Sequence, residues 1–328
     1  MRKSLCLALL LVALNASCKN IDGGQNPSEN NNAFVGKHGF LSVKGTELVD
    51  KNGEPIVLRG VSFGWHNWWS RFYNAQTVAT LKNEWKANVI RAVIGVEPEG
   101  ALLSNPELAY ECMTTVVDAA IYNDMYIIID FHAHNINLDA AKAFFTQTAT
   151  RYKNLPNVIY EIYNEPDYET WEEVKAYSVE IIQTIRNIAP KNIIIVGSPH
   201  WDQDIDIVAA DPIIGYENLM YSLHFYAATH KEYLRNRTEN AIADGLPVFV
   251  SECAGMEASG DGALDIDEWN AWIDFMERQK LSYVMWSISD KNETCSMIKD
   301  ERSPVCNWTD SDLKEWGKIV KNLLKEKK

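Results

Sequence analysis

The feature that most constrains this chain is a rhythm. Short apolar runs recur eight times, and most of the spacers between them have the length of a helix. The runs are "LRGVSFG" (58–64), "NVIRAVI" (88–94), "MYIIIDF" (125–131), "NVIYEIY" (157–163), "NIIIVG" (192–197), "LMYSLHF" (219–225), "PVFVSE" (247–252) and "LSYVMWS" (281–287). Spacers such as "NAQTVATLKNEWKA" and "TWEEVKAYSVEIIQTIRNIA" repeat their apolar residues at helical spacing. Strands apolar on both faces, alternating with helices, form a parallel sheet covered on both sides. Eight such units at roughly 30-residue spacing predict one α/β domain, a (β/α)8 barrel. An open doubly wound sheet is the structural alternative, but no glycine-rich phosphate loop follows any run.

The regions before the first run read differently. Residues 40–66 hold "DKNGEP" between two short alternating runs, which predicts a small β-hairpin ahead of the barrel. Residues 1–17 carry two basic residues, an apolar stretch and then small residues, the pattern of an export signal too short to span a bilayer. The segment resembles a bacterial lipoprotein signal, which implies lipidation at Cys18. Asn15 departs from that pattern, so plain cleavage stays open. The polar stretch 18–33 reads as a tether, leaving 34–328 as the folded domain. The expected location is outside the cytoplasm, on a membrane through the lipid or secreted.

The net charge of −14 argues against nucleic acid and against an anionic membrane surface as partners. No paired Cys-x-x-Cys occurs, and no metal site or cofactor is expected. Cys295 and Cys306 flank a polar loop, and whether they form a disulfide is open.

In a barrel of this kind function sits at the C-terminal ends of the strands. There the chain places Arg91, His132 and His134, Asn164 and Glu165, His200 and Trp201, His224 and Tyr226, Glu252, and Trp286. One polar residue at a strand end is commonly a solvated cap. So many compatible hydrogen-bonding groups on one rim point to a site. Two carboxylates without metal ligands suit glycosidic cleavage, one as acid and one as nucleophile or base. The fourth and seventh strands are expected on opposite sides, so that Glu165 and Glu252 face each other. Arg91 and Tyr226 are expected to keep Glu252 ionised, Asn164 to meet a sugar 2-hydroxyl, and apolar neighbours to raise the pKa of Glu165. Pro166 stiffens the exit of its strand.

"NVIYEIYNEP", followed near ninety residues later by "VFVSE", resembles the acid/base and nucleophile segments of glycoside hydrolase family 5, a family of retaining (β/α)8 glycosidases. "GVSFGWHNWW", "NVIRAVIG", "YIIIDFHAH", "VGSPHWDQDIDIVA", "SLHFYAATH" and "VMWSISDKNETCSMI" are similar to its bacterial endoglucanase branch. The resemblance implies Glu165 as acid/base and Glu252 as nucleophile. It implies Arg91, His132, Asn164, His224, Tyr226 and Trp286 as the shell that holds sugar and carboxylates. It implies His66, Trp69, Trp201 and Lys291 as substrate contacts, with Trp68 an alternative to Trp69. The ligand it implies is a β-glucan polysaccharide or oligosaccharide, with xyloglucan, mannan or xylan as alternatives under the same mechanism, and a monomer is expected. Gly95 departs from the related cellulases that carry Tyr there.

Two other classes fit parts of the sequence. "HAH" matches the His-x-His of metal-dependent amidohydrolase barrels, but it follows the third strand, and the ligand lysine and final aspartate are not evident. A surface glycan-binding protein fits the tether and the tryptophans, but has no need of both carboxylates.

Overall fold

The computed structural model describes residues 33–327. The signal reading at 1–17, Cys18 and most of the proposed tether lie outside the described residues.

The chain opens with α1 (Phe34–His38) and the antiparallel pair β1 (Ser42–Lys44) and β2 (Glu47–Val49). The tight turn of that hairpin is Gly45-Thr46. "DKNGEP" instead makes a second turn, closed by a bridge between Val49 and Pro55. Eight parallel strands follow: β3 (Arg59–Phe63), β4 (Val89–Gly95), β5 (Tyr126–His132), β6 (Val158–Glu161), β7 (Ile194–Val196), β8 (Leu219–Tyr226), β9 (Val248–Ala254) and β10 (Tyr283–Ile288). They close in sequence order, with β10 pairing β3. The longer helices outside the ring include α4 (Pro106–Tyr122), α5 (Leu138–Tyr152), α6 (Trp171–Arg186), α9 (Glu232–Ala243), α10 (Ile266–Arg278) and α11 (Glu315–Glu326). Shorter segments fill the loops: the helical turns α2 (His66–Trp69), α3 (Ala75–Thr80) and α8 (Ile205–Ala210), and α7 (Pro199–Asp202), whose His200, Trp201 and Asp202 leave right-handed geometry. Thr170 and Glu173 form a reciprocal capping box at the start of α6.

Alternation along the strands sorts the side chains into layers. Ile127, Ile129 and Phe131 of β5 join the apolar layer shared with the helices. Tyr126 and Ile128 instead join a second cluster with Val89, Ile159, Met220 and Phe249, which the hairpin side chains Leu41, Leu48 and Ile56 complete. That cluster plugs the N-terminal end of the barrel. Above it the interior turns polar, through Arg91, Asp130, Glu161, Ser222 and Ser251, all fully buried. The site stands on that polar layer, at the C-terminal rim. Among the described residues Cys295 keeps a free thiol, so it is not bridged to Cys306.

Candidate active site

Arg91 organises the site from below. Its Nε donates to Glu161 Oε2 at 2.6 Å, Nη1 to Glu252 Oε2 at 2.9 Å and Nη2 to Asn164 Oδ1 at 2.6 Å, with Asp130 Oδ2 at 3.0 Å from Nη2. A guanidinium presents such a fork of donors in fixed geometry, which lysine does not. Burial opposes the ionised form of Glu161, yet Arg91 and His224 hold its carboxyl down at about 2.

Glu252 also accepts from the Tyr226 hydroxyl, at 2.7 Å on Oε1. The strand that carries it breaks its own alternation. The register between β8 and β9 shifts between Ser222 and His224. Ser251 then reaches His224 Nε2 and Ser222 while its neighbour Glu252 reaches Arg91.

Glu165 lies four residues beyond the last residue of β6, in a bend pinned by its own N–H to the Ala133 carbonyl and by Trp201 N–H to the Pro166 carbonyl. Its Oε1 lies 2.9 Å from His224 Nδ1, and its Oε2 lies 3.8 Å from His134 Nδ1. Glu165, His224 and Glu252 each place one donor atom within 4.8 Å of the others. The two carboxylates therefore face each other closely. Their strands are three steps apart around the ring, not diametrically opposite as expected.

The electrostatics also differ from the expectation of an apolar surrounding for Glu165. Burial does push its carboxyl up, but hydrogen bonding to His224 and the charges of His224, His134 and Arg91 reverse this and hold it below its ordinary range. Glu252 goes the other way. Burial raises it and the charge of Glu165 adds to this, against His224, Arg91 and the Tyr226 hydroxyl. For His224, burial opposes a positive charge, but Asp202, Glu161, Glu165 and Glu252 surround it and carry its pKa well above normal. His132 is the opposite case, held neutral by burial and by Arg91.

The pocket here measures about 420 Å³ and is lined by Glu165, His200, Trp201, Gln203, His224, Tyr226, His230, Glu252 and Ala258. A cleft of about 550 Å³ lies at the other end of the barrel, between Ser42 and Pro247, but no His, Arg or Lys lines it. Chemistry, not size, picks the first.

The rim places the remaining sequence candidates unequally. Trp201 lines the pocket. Trp286 stacks on His132, rings 5.6 Å apart and 4° from parallel. Arg91 is fully buried and its donors go to protein groups, so it supports the carboxylates and does not touch sugar. His66 is likewise fully buried, with Nδ1 accepting from Gly95 N–H, and offers no surface to a substrate. Trp69 folds back over Gly64 onto the core, whereas Trp68 is 55% exposed. Lys291 pairs with Glu293 at 2.5 Å. The His-x-His pair that the amidohydrolase reading would need is otherwise engaged: His132 Nδ1 meets Asp130, and His134 Nδ1 meets Asp167 at 3.0 Å.

A family model described as cellulase, glycosyl hydrolase family 5, matches residues 49–292, which contain both carboxylates and every strand of the barrel. The chain belongs to glycosyl hydrolase family 5. It is 41% identical over 293 residues to an endoglucanase of Clostridium saccharobutylicum and 39% identical over 289 residues to endoglucanase Z of Dickeya dadantii. Each match covers 87% of this chain, but only 65% and 66% of the respective relative. Among solved structures, one from Cytophaga hutchinsonii superposes with a TM-score of 0.88 at 41% identity, over 90% of this chain and 97% of that one. The catalytic domain of Thermobifida fusca endoglucanase Cel5A, solved in complex with cellotetraose, gives 0.85 at 32%, over 89% and 99%.

Several residues of this family 5 site were not singled out from the sequence. Asp130, Glu161, Ser251 and Asp202 are buried polar groups inside apolar runs or loops. Period-2 alternation within "YIIIDF" and "VIYE" would have flagged the first two as inward-facing charges. Trp65 was also missed. It lies edge-on to His132 at 4.3 Å and parallel to His134 at 5.9 Å, and its ring occupies the space that a Cβ at Gly95 would enter, 2.6 Å away.

Proposed function

We propose that the chain is a retaining endo-β-1,4-glucanase, cutting internal bonds of cellulose-type or mixed-linkage β-glucans through a covalent glycosyl-enzyme. The observation that carries this is the close approach of Glu165 and Glu252, whose nearest oxygens lie within 4.8 Å. Retaining glycosidases hold their carboxyl groups about 5–5.5 Å apart, while inverting enzymes leave room for a water and need about 6.5–9.5 Å. The names of the relatives and the cellotetraose bound to one of them support the glucan reading.

The roles follow from the hydrogen-bond partners. Glu252 is held by a guanidinium, which only donates, and by a phenolic O–H directed at it. A carboxylate so held keeps its lone pairs ordered and aimed, as a nucleophile requires. Glu165 is held by His224 Nδ1, whose N–H can pass its proton to the carboxylate and take it back, so the proton can come and go there. The two acids titrate as a coupled pair. Once Glu252 becomes an ester its charge is gone, and Glu165 is depressed further. That is the state needed when Glu165 turns from acid to base. Asn164 Nδ2 is buried without a protein partner and is the donor left for the 2-hydroxyl of the bound sugar.

Leaving groups separate the two roles. Glu165→Ala should lose about 10²–10⁴-fold on polysaccharide and much less on an aryl glycoside whose leaving group needs no proton. Glu252→Ala should be crippled on both. Azide should give a β-glycosyl azide with the first variant and an α-glycosyl azide with the second. Exchanged products would exchange the roles, and inverted product anomers from the wild type would end the covalent mechanism.

A further inference from the structure

Asp202 is a fully buried carboxylate that the chemistry above leaves unused. One oxygen, Oδ1, accepts from Ser198 N–H. The other, Oδ2, is buried with no hydrogen-bond partner and lies 3.3 Å from His224 Nδ1. That same nitrogen is 2.9 Å from Glu165 Oε1. Two carboxylates thus converge on one nitrogen, which can carry a single proton. The opposite ring nitrogen, Nε2, is engaged by Ser251 Oγ at 3.0 Å.

The backbone holds Asp202 there at a cost. His200, Trp201 and Asp202 all lie in the left-handed region, with φ of 57°, 54° and 58°. A run of three such residues without glycine is disfavoured and persists only where the surroundings over-determine it. The same turn sets Trp201 on the wall of the pocket.

We propose that Asp202 is a positioning residue for the reaction, which holds, through His224 Nδ1, the proton that Glu165 delivers to the leaving oxygen. This rests on Glu165 being the acid/base. In one state the Nδ1–H of charged His224 donates to ionised Glu165, and Asp202 holds a proton of its own. In the other, Glu165 is protonated and the Nδ1–H donates to ionised Asp202. Between them the N–H bond at Nδ1 breaks as the Glu165 O–H forms, and the O–H bond of Asp202 breaks as a new N–H forms at Nδ1. Glu165 then gives its proton to the glycosidic oxygen. When it later takes a proton from the attacking water, the relay runs backward and Asp202 is reloaded. No proton is gained or lost over the cycle.

Other charges bear on this exchange. Asp202 faces His224 from β8 and Glu161 from β6, besides Glu165, with His200 and Asp204 on its own turn. Glu165 in turn faces His134, His230, Asp167, Arg91 and Glu252. Burial is the largest influence on Asp202 and carries its carboxyl well above the ordinary range, in keeping with a group that stores a proton.

Two carboxyl groups sharing one site raise the pKa at which the last proton leaves. Asp202→Asn removes one of them and keeps the shape, and asparagine tolerates a left-handed backbone. The alkaline limb of kcat/KM on mixed-linkage β-glucan should therefore move to lower pH, on the order of one unit. At the wild-type optimum kcat should fall roughly tenfold, less than the loss from removing the acid itself. On 2,4-dinitrophenyl cellobioside, whose leaving group needs no proton, the fall should stay within about twofold. Asp202→Ser, which lacks the amide, should behave alike, and thermal unfolding shows that each variant is folded. An unmoved alkaline limb, or equal losses on both substrates, would overturn the proposal and leave Asp202 a structural residue. Glu165→Ala on the same two substrates tests the acid/base reading separately, because equal losses there would remove the premise itself.

Discussion

His66 shows how a residue type acquires its job from its surroundings. Histidine beside tryptophans at a strand end reads as a sugar contact. Here Nδ1 accepts from the Gly95 N–H, and the ring is sealed off. His230 does the same for Tyr226 N–H. A nitrogen that accepts a hydrogen bond loses it on protonation, and burial holds both rings at about 4. In the unfolded chain each titrates near 6.5. Between these values the unfolded state binds protons that the folded state does not, so stability rises with pH across that window and falls as pH drops from about 6.5 to about 4. Each ring contributes up to ~3 kcal/mol to that slope. Urea unfolding at pH 7.5 and 4.5 checks this, and His66→Asn should remove a share of the difference. A slope that His66→Asn leaves unchanged would show that this ring is not responsible.

At the scale of elements, the contact between β3 and β4 is the tightest constraint. Gly60 pairs with Val89 in the ladder, and a Cβ at position 60 would lie 1.7 Å from the Val89 carbonyl oxygen. Backbone cannot yield as a flexible side chain does, so Gly60→Ala must part the two strands. The expected cost is roughly 3 kcal/mol, at the upper end of overpacking effects. Because Arg91 sits two residues past Val89 on β4, activity should fall with stability. Denaturant midpoints and the yield of soluble protein measure this. A Gly60→Ala variant as stable as the parent would mean that the strands approach less closely than described. The short strand β6 matters in a different way. It ends at Glu161, so Asn164 and Glu165 leave the ladder and are aimed by loop contacts, with Pro166 against Gly197.

Across the whole molecule, closing the ring brings β6, β8 and β9 to one rim, and their acids and histidine into one pocket. The chain has no further need of a cation if two carboxylates carry the chemistry, although Glu165, His224 and Glu252 present donor atoms close enough to hold one. Enzyme dialysed against a strong chelator should therefore keep its rate within about twofold. It should lower the viscosity of carboxymethylcellulose or mixed-linkage β-glucan quickly, as internal cleavage does. A loss restored by zinc would contradict the two-carboxylate chemistry, and faster cleavage of mannan than of either glucan would redirect the substrate.

The sequence by itself determined the barrel, because each strand buried on both faces leaves a short, mostly apolar run and the longer helices leave a 3.6-residue period. Each of the eight strands lies within a few residues of its apolar run. It also marked Glu165 and Glu252, since charged residues at the ends of apolar runs are conspicuous. What only the tertiary structure decided is how those groups act on one another. The stacking of Arg91 under Glu161, Glu252 and Asn164 joins three strands that are far apart in the chain. The pKa of Glu165 depends on His224, 59 positions away, and the partnership of Asp202 with that histidine depends on a left-handed turn that no local pattern announces. Burial and hydrogen bonding set the charge of a group, and both are properties of a neighbourhood that exists only after the ring has closed.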